Sequence, residues 1–207
     1  MTRRGRLIAI EGIDGSGKST QARLLAEALG AVLTREPGAT ALGRQLRALL
    51  LDRSSAPLTA RAEALLVCAD RAQHVTEVVA PALDAGRWVV TDRFSASTLA
   101  YQGFGRGLDV EELRPIADWA AGGLAPDLTV LVDVAPELAR ERRGATADRF
   151  ESMEPEFHER VRSGYLDMAR SDPLRWVVVD GSSSPSEVAA AVRGAVDERL
   201  GPAVAAQ

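Results

Sequence analysis

The sequence predicts an α/β fold with a five-stranded parallel sheet flanked by helices and a short arginine-rich lid. Three observations predict it. Apolar runs of strand length recur five times along the chain, and longer segments with helical spacing separate them. The runs are near-continuous Val, Ile and Leu without a polar alternate face, as in strands covered by helices on both sides.

Taken in order, the runs are Leu7 to Glu11, Ala31 to Thr34, Trp88 to Thr91, Leu128 to Val134 and Trp176 to Val179. The helical segments are Lys18 to Leu29, Thr40 to Leu51, Thr59 to Ala85, Ser95 to Tyr101, Val110 to Ala121, Pro136 to Arg143, Pro155 to Arg170 and Pro185 to Leu200. Pro81 lies inside the longest segment. It lacks a backbone N–H and its ring crowds the preceding turn, so it should kink that helix or end it early. No repeat, low-complexity block or linker divides the chain. Residues 1–207 are therefore expected to form one domain, with a lid at about 142–150 and a frayed tail from 201 to 207.

Composition sets wide bounds. A net charge of −4 and a pI near 5.3 argue against a general binder of nucleic acid or of membrane surfaces. The basic N-terminus is followed by an apolar run too short for a signal-peptide core, and no apolar stretch is long enough to span a bilayer. Cys68 is the single cysteine, which rules out an intrachain disulfide and fits a reducing cytoplasm. Of the 25 basic residues, 24 are arginine and one is lysine, Lys18.

That lysine completes the strongest motif in the chain. Gly12-Ile13-Asp14-Gly15-Ser16-Gly17-Lys18-Ser19 matches G-x-x-x-x-G-K-[ST], directly after a strand and directly before a helix. The glycines let successive N–H groups curl inward around phosphate oxygens, and the helix, from Lys18 through Thr20, adds its positive end. This is the phosphate loop of the P-loop NTPase fold, with Lys18 directed at the β- and γ-phosphates and Ser19 at Mg²⁺. Arginine is a poor substitute there, because its planar fork is larger than an ammonium on a flexible stem. The loop alone leaves kinase, ATPase motor and GTP switch open.

Asp92-Arg93 closes the third strand, at the sheet edge where open α/β folds bind ligands. Asp92 is placed to hold Mg²⁺ through water, and Arg93 to bridge phosphoryl oxygens; a strand-end ion pair is the alternative.

Further segments extend the pattern: Glu11-Gly12-Ile13-Asp14, Thr34-Arg35-Glu36-Pro37-Gly38, Ala69-Asp70-Arg71-Ala72-Gln73-His74, Asp92-Arg93-Phe94, Ala100-Tyr101-Gln102-Gly103 and Gly105-Arg106-Gly107. In this order, and from about Arg6 to about Leu200, they resemble the bacterial thymidylate kinase family. The resemblance implies transfer of the γ-phosphoryl group of ATP to dTMP, giving dTDP and ADP, with Mg²⁺ and as a homodimer. It also implies that Arg71 and Gln102 read the thymine base, that Tyr101 crowds the sugar 2′ position and that Ser97 walls the pocket. Glu36, Pro37 and Arg47 line the thymidylate site by the same resemblance, with Arg47 clamping the acceptor phosphate; taken alone, Arg47 is equally a charge on a solvated helix face. Asp14 matches a carboxylate near the acceptor sugar and metal shell. The acceptor is already an anionic phosphate, so alignment and charge neutralisation suffice and no general base is required.

Arg140, Arg142, Arg143 and Arg149 cluster around Gly144-Ala145-Thr146-Ala147, the composition of a cationic flap. Closed over ATP, it would exclude water and deliver an arginine, with Arg140 and Arg143 on the nucleotide and Arg149 best matching the family's catalytic lid arginine. Surface ion pairs at a helix end are the bland alternative. Where family members carry a catalytic arginine in the phosphate loop, this chain has Ile13, Asp14, Gly15 and Ser16 at the variable positions. Val67 also stands where the family places an aromatic residue against thymine, with Phe94 and Phe104 as candidates to replace that surface. Two other readings stay open: a P-loop kinase for another deoxynucleotide, and a noncatalytic nucleotide-binding regulator.

Overall fold

The computed structural model of the chain describes residues 4–54, 56–143 and 148–201. Five parallel strands form one sheet in the order β2-β3-β1-β4-β5. They are β1 (Leu7–Glu11), β2 (Val32–Arg35), β3 (Val89–Asp92), β4 (Leu128–Asp133) and β5 (Trp176–Asp180). Each lies within one residue of its expected position. The register sets Ala9 beside Thr91 and Ile10 beside Asp92, so the loops leaving β1 and β3 emerge side by side.

Around the sheet lie α1 (Lys18–Leu29), α2 (Ala41–Leu51), α3 (Ala60–His74), α4 (Ala80–Asp84), α5 (Ser95–Thr98), α6 (Val110–Ala120), α7 (Pro136–Arg142), α8 (Pro155–Ser171) and α9 (Pro185–Leu200). One face of the sheet buries Ile8, Ile10, Val130 and Val132 against Leu25 of α1 and Val188 and Val192 of α9. The opposite face packs Leu7, Ala9 and Val89 on Val79 and Leu83, while Leu131 meets the Phe157, Val161 and Tyr165 stripe of α8. Burying each such aliphatic or aromatic side chain contributes about 1.5–3 kcal/mol, which fixes which face of each helix turns inward.

Local chemistry sets the helix starts. Thr40 accepts the Gly43 N–H, and Thr59 accepts the Ala62 N–H. Ser184 and Glu187 form a reciprocal capping box at α9. The long segment around Pro81 does not stop at the proline. A π-helical turn, Val75–Val79, follows α3 directly and delivers the chain to α4 with Pro81 in its first turn, where a missing N–H costs little. A second π segment, Leu99–Gly105, extends α5 beyond the expected end and carries Tyr101 and Gln102. Among the described residues, no helix is long and apolar enough to cross a membrane.

Candidate active site

The phosphate loop runs from the end of β1 into α1. Gly12, Gly15 and Gly17 all have positive φ, and at Gly15 a Cβ would lie 2.1 Å from the Ala139 carbonyl oxygen. Only glycine lets the loop turn this tightly beneath α7. Helix α1 starts at Gly17 with no side-chain cap, which leaves its first N–H groups for an anion. Ile13 and Ser16 are buried beneath the loop, and Thr20 is exposed one residue beyond Ser19. Lys18 is nearly buried, with Nζ donating to Asp14 Oδ1 at 3.1 Å.

Asp14 joins this loop to the third strand. Its carboxylate accepts from Arg93 Nη2 at 2.5 Å and from the Tyr101 hydroxyl at 2.7 Å. Burial pushes the Asp14 pKa up, but the charges of Arg93 and Lys18 and the Tyr101 hydrogen bond outweigh it and hold the group well below the usual carboxylate range. Arg93 also donates to Ser97 Oγ at 3.0 Å and to the Tyr165 hydroxyl at 3.2 Å. Beneath these groups, fully buried Glu11 accepts from the Phe94 N–H and the Ser97 and Tyr165 hydroxyls. Arg93 is, among the described residues, the single non-glycine with positive φ, at 75°. Backbone strain of this kind persists where the surroundings over-determine it, and here five side-chain and backbone acceptors grip the guanidinium.

Ser19 Oγ donates to Asp92 Oδ2 at 2.5 Å, and Asp92 Oδ1 is buried without a partner among the described residues. This pair of hard oxygen donors fits a small divalent cation such as Mg²⁺.

Two cavities open on this ridge. The first is lined by Pro37, Val67, Arg71, Ser97, Tyr101, Gln102 and Phe150, and the second by Gly15, Lys18, Ser19, Arg35 and Asp92. Asp14, Glu36, Arg47, Arg93 and Asp148 line both, so the cavities meet at the Asp14–Arg93 pair.

In the first cavity, Arg71 is fully buried, with Nε on Glu36 Oε2 and Nη2 on the Phe94 carbonyl and Thr98 Oγ1. Its Nη1 has no partner among the described residues. His74 Nδ1 donates to the other Glu36 oxygen, 2.9 Å away, so Glu36 orients Arg71 from behind. Arg47 Nη1 donates to the Pro37 carbonyl at 2.9 Å, and burial together with the Arg35 charge pushes its pKa down. Neither Phe94 nor Phe104 faces the cavity: Phe94 lies beneath Arg71, and the ring of Phe104 packs on Gly164. The aromatic surfaces there belong to Tyr101 and Phe150, whose rings meet edge to face at 5.7 Å.

The lid arginines scatter. Arg140 and Arg143 line a separate cavity beside His158, and Arg142 donates to the Gly181 and Ser182 carbonyls. Arg149 lines neither of the two joined cavities; its backbone N–H bonds the Leu51 carbonyl and its Nη1 is buried without a partner among the described residues. Residues 144–147 of the expected lid and 202–207 of the expected tail lie outside the described residues.

A family model described as Thymidylate kinase matches residues 10–192, nearly the whole of this framework. The chain belongs to the thymidylate kinase family. A thymidylate kinase of Desulfovibrio desulfuricans is 49% identical over 207 aligned positions, covering 93% of this chain and 95% of its own length. One from Synechococcus sp. (strain JA-3-3Ab) is 51% identical over 200, covering 93% and 96%. The crystal structure of thymidylate kinase from Ehrlichia chaffeensis superposes with a TM-score of 0.79 at 33% identity, covering 93% of this chain and 99% of its own.

Several groups that shape this thymidylate kinase site escaped the sequence reading. Tyr165 stands 154 positions from Glu11 and reaches it only because α8 packs over the sheet. Glu63, Thr98, Asp148 and Phe150 were passed over as well. None of them carried a local signal: Glu63 reads as an ordinary first-turn acid of α3, and only packing buries it.

Proposed function

We propose that this chain transfers the γ-phosphoryl group of ATP to dTMP, yielding dTDP and ADP for dTTP synthesis. The observation that carries this reading is the meeting of the two cavities at Asp14 and Arg93. A donor phosphate cradled by the loop and an acceptor phosphate held near Arg47 would converge on one guanidinium. Membership of the thymidylate kinase family supports dTMP as the acceptor.

In this reading Lys18 and Arg93 neutralise charge that develops on the transferring group, and Arg47 clamps the acceptor phosphate. Asp14, kept ionised by its partners, fixes Arg93 and Lys18 relative to each other. Ser19 and Asp92 would hold Mg²⁺, which supplies charge neutralisation between the β- and γ-phosphates when bound. Arg71 and Gln102 face the base, and Tyr101 crowds the sugar. We assign the lid charge to Arg149, which has to swing from its present seat beside Leu51 to reach the phosphates. That assignment requires turnover to collapse in Arg149→Ala while dTMP affinity holds.

The same reading extends to a homodimer acting in the cytoplasm. Leu65 of α3 and Ile116 and Trp119 of α6 are exposed on neighbouring helices, which supports a helix-face contact, and the lone Cys68 is free and buried.

A coupled ADP assay with dTMP, dUMP, dCMP and dGMP tests the activity. The expected result is turnover with dTMP foremost. Preference for another acceptor would point to a different deoxynucleotide kinase, and no transfer to any of the four would point to a nucleotide-binding regulator.

A further inference from the structure

We infer that Glu63, locked by Arg106, is a positioning residue for base selectivity: it turns the Gln102 amide so that its carbonyl oxygen is offered to the acceptor cavity. This inference rests on the proposed function, since it concerns which base that cavity accepts.

Glu63 sits in the first turn of α3 and is almost fully buried. Arg106 grips it with two hydrogen bonds, Nε to Oε1 at 3.1 Å and Nη2 to Oε2 at 2.8 Å. The guanidinium is itself fixed over the Phe157 ring, 5.3 Å from its centroid, and by a contact from Nη1 to Met153 Sδ. Into this clamp Gln102 donates Nε2, at 2.9 Å from Glu63 Oε1.

The two ends of a glutamine amide have nearly the same shape, so hydrogen-bond partners decide its orientation. A carboxylate paired with arginine offers acceptors only. Turning the Gln102 amide over would replace this hydrogen bond with a carbonyl oxygen set against a carboxylate oxygen, a buried repulsion between two acceptors. The Gln102 amino group therefore faces Glu63, and its carbonyl faces away.

On the same cavity, three of the buried Arg71 contacts are already committed to Glu36, Phe94 and Thr98, and Nη1 is left over. The wall thus presents one free donor, Arg71 Nη1, and one acceptor, Gln102 Oε1. The complementary ligand edge is a carbonyl beside an N–H, the O4 and N3–H of a thymine or uracil ring. Cytosine presents the reverse, an amino group beside a bare ring nitrogen, and mismatches both positions. Polar sites of this kind reject the wrong partner by leaving buried groups unpaired.

Glu63→Gln replaces the fixed acceptor with an amide that can present either end, releasing Gln102 from its single orientation. The ratio of kcat/KM for dTMP to that for dCMP is expected to fall about 10-fold or more, through KM for the nucleoside monophosphate, with KM for ATP unchanged. An unchanged ratio, or equal losses for dTMP, dCMP and ATP, would overturn the assignment. Should the variant fail to fold, binding to the unaltered protein decides: the 3-deaza analogue of dTMP, whose N3–H becomes C–H, should bind about 10-fold or more weakly than dTMP. Equal binding would overturn the inference. An unaltered protein that does not phosphorylate dTMP would defeat the proposed function and this inference together, whereas dTMP turnover with a base preference indifferent to Glu63 defeats the inference alone.

Discussion

Lys18 shows how much one residue can constrain. It is the sole lysine among 25 basic residues, and the fold seats it nearly buried, with Nζ 3.1 Å from Asp14 Oδ1 and 3.5 Å from the Ile13 carbonyl. A compact ammonium fits between these acceptors and a phosphate; a guanidinium is broader, flat and unable to turn there. Lys18→Arg should therefore lower kcat by about 100-fold or more although the charge is kept. Steady-state ADP release at saturating ATP and dTMP measures this, and a variant within a few-fold of the parent would refute the geometric argument. The motif made this residue legible. The groups that hold its partner Asp14 were not, since Arg93 follows β3 and Tyr101 sits in the second π segment, both far along the chain.

At the scale of elements, the second π segment matters most, because it carries both Tyr101 and Gln102. It can lie close to α8 only where side chains are absent: a Cβ at Gly164 would stand 2.4 Å from the Phe104 ring, and one at Gly105 would stand 2.6 Å from the Phe157 ring. In an open helix Gly→Ala gains up to about 1 kcal/mol. Here the overlap with a buried ring reverses the sign, so Gly164→Ala should cost about 1–3 kcal/mol. Thermal unfolding followed by circular dichroism gives the stability change, and KM for dTMP should rise more than KM for ATP. A stabilised variant would mean that α8 and the π segment separate more easily than their packing implies. Neither π segment was legible in the sequence. Both depend on an extra residue absorbed within a continuous helical pattern, and periodicity alone does not distinguish that from an ordinary α-helix.

For the whole molecule, the sheet order sets the loops after β1 and β3 next to each other and places the helices that carry the acceptor cavity above them. The faces left over include Trp119, which is 82% exposed, with Ile116 on the same helix and Leu65 on α3. An exposed tryptophan of this size is a poor surface for a lone subunit. Sedimentation equilibrium is expected to give twice the 22.0 kDa chain mass, and Trp119→Arg should shift it toward one chain. A monomer at micromolar concentration would remove the homodimer from the proposed function.

The sequence by itself determined the strands, the α/β class and the phosphate loop, because each rests on local spacing: continuous apolar runs, glycines at fixed offsets, a lysine before a helix. The residues of the acceptor cavity were legible only through resemblance to a family. Tertiary structure decided what those residues do to one another. It set Glu11 and Tyr165 beneath Arg93, and Glu36 behind Arg71. It put Phe150 in the acceptor cavity, kept Phe94 and Phe104 out of it, and turned the Gln102 amide with Glu63. These are contacts across tens of residues, fixed by how helices pack on a sheet, and a buried hydrogen-bond donor finds its acceptor only once that packing has brought the two together.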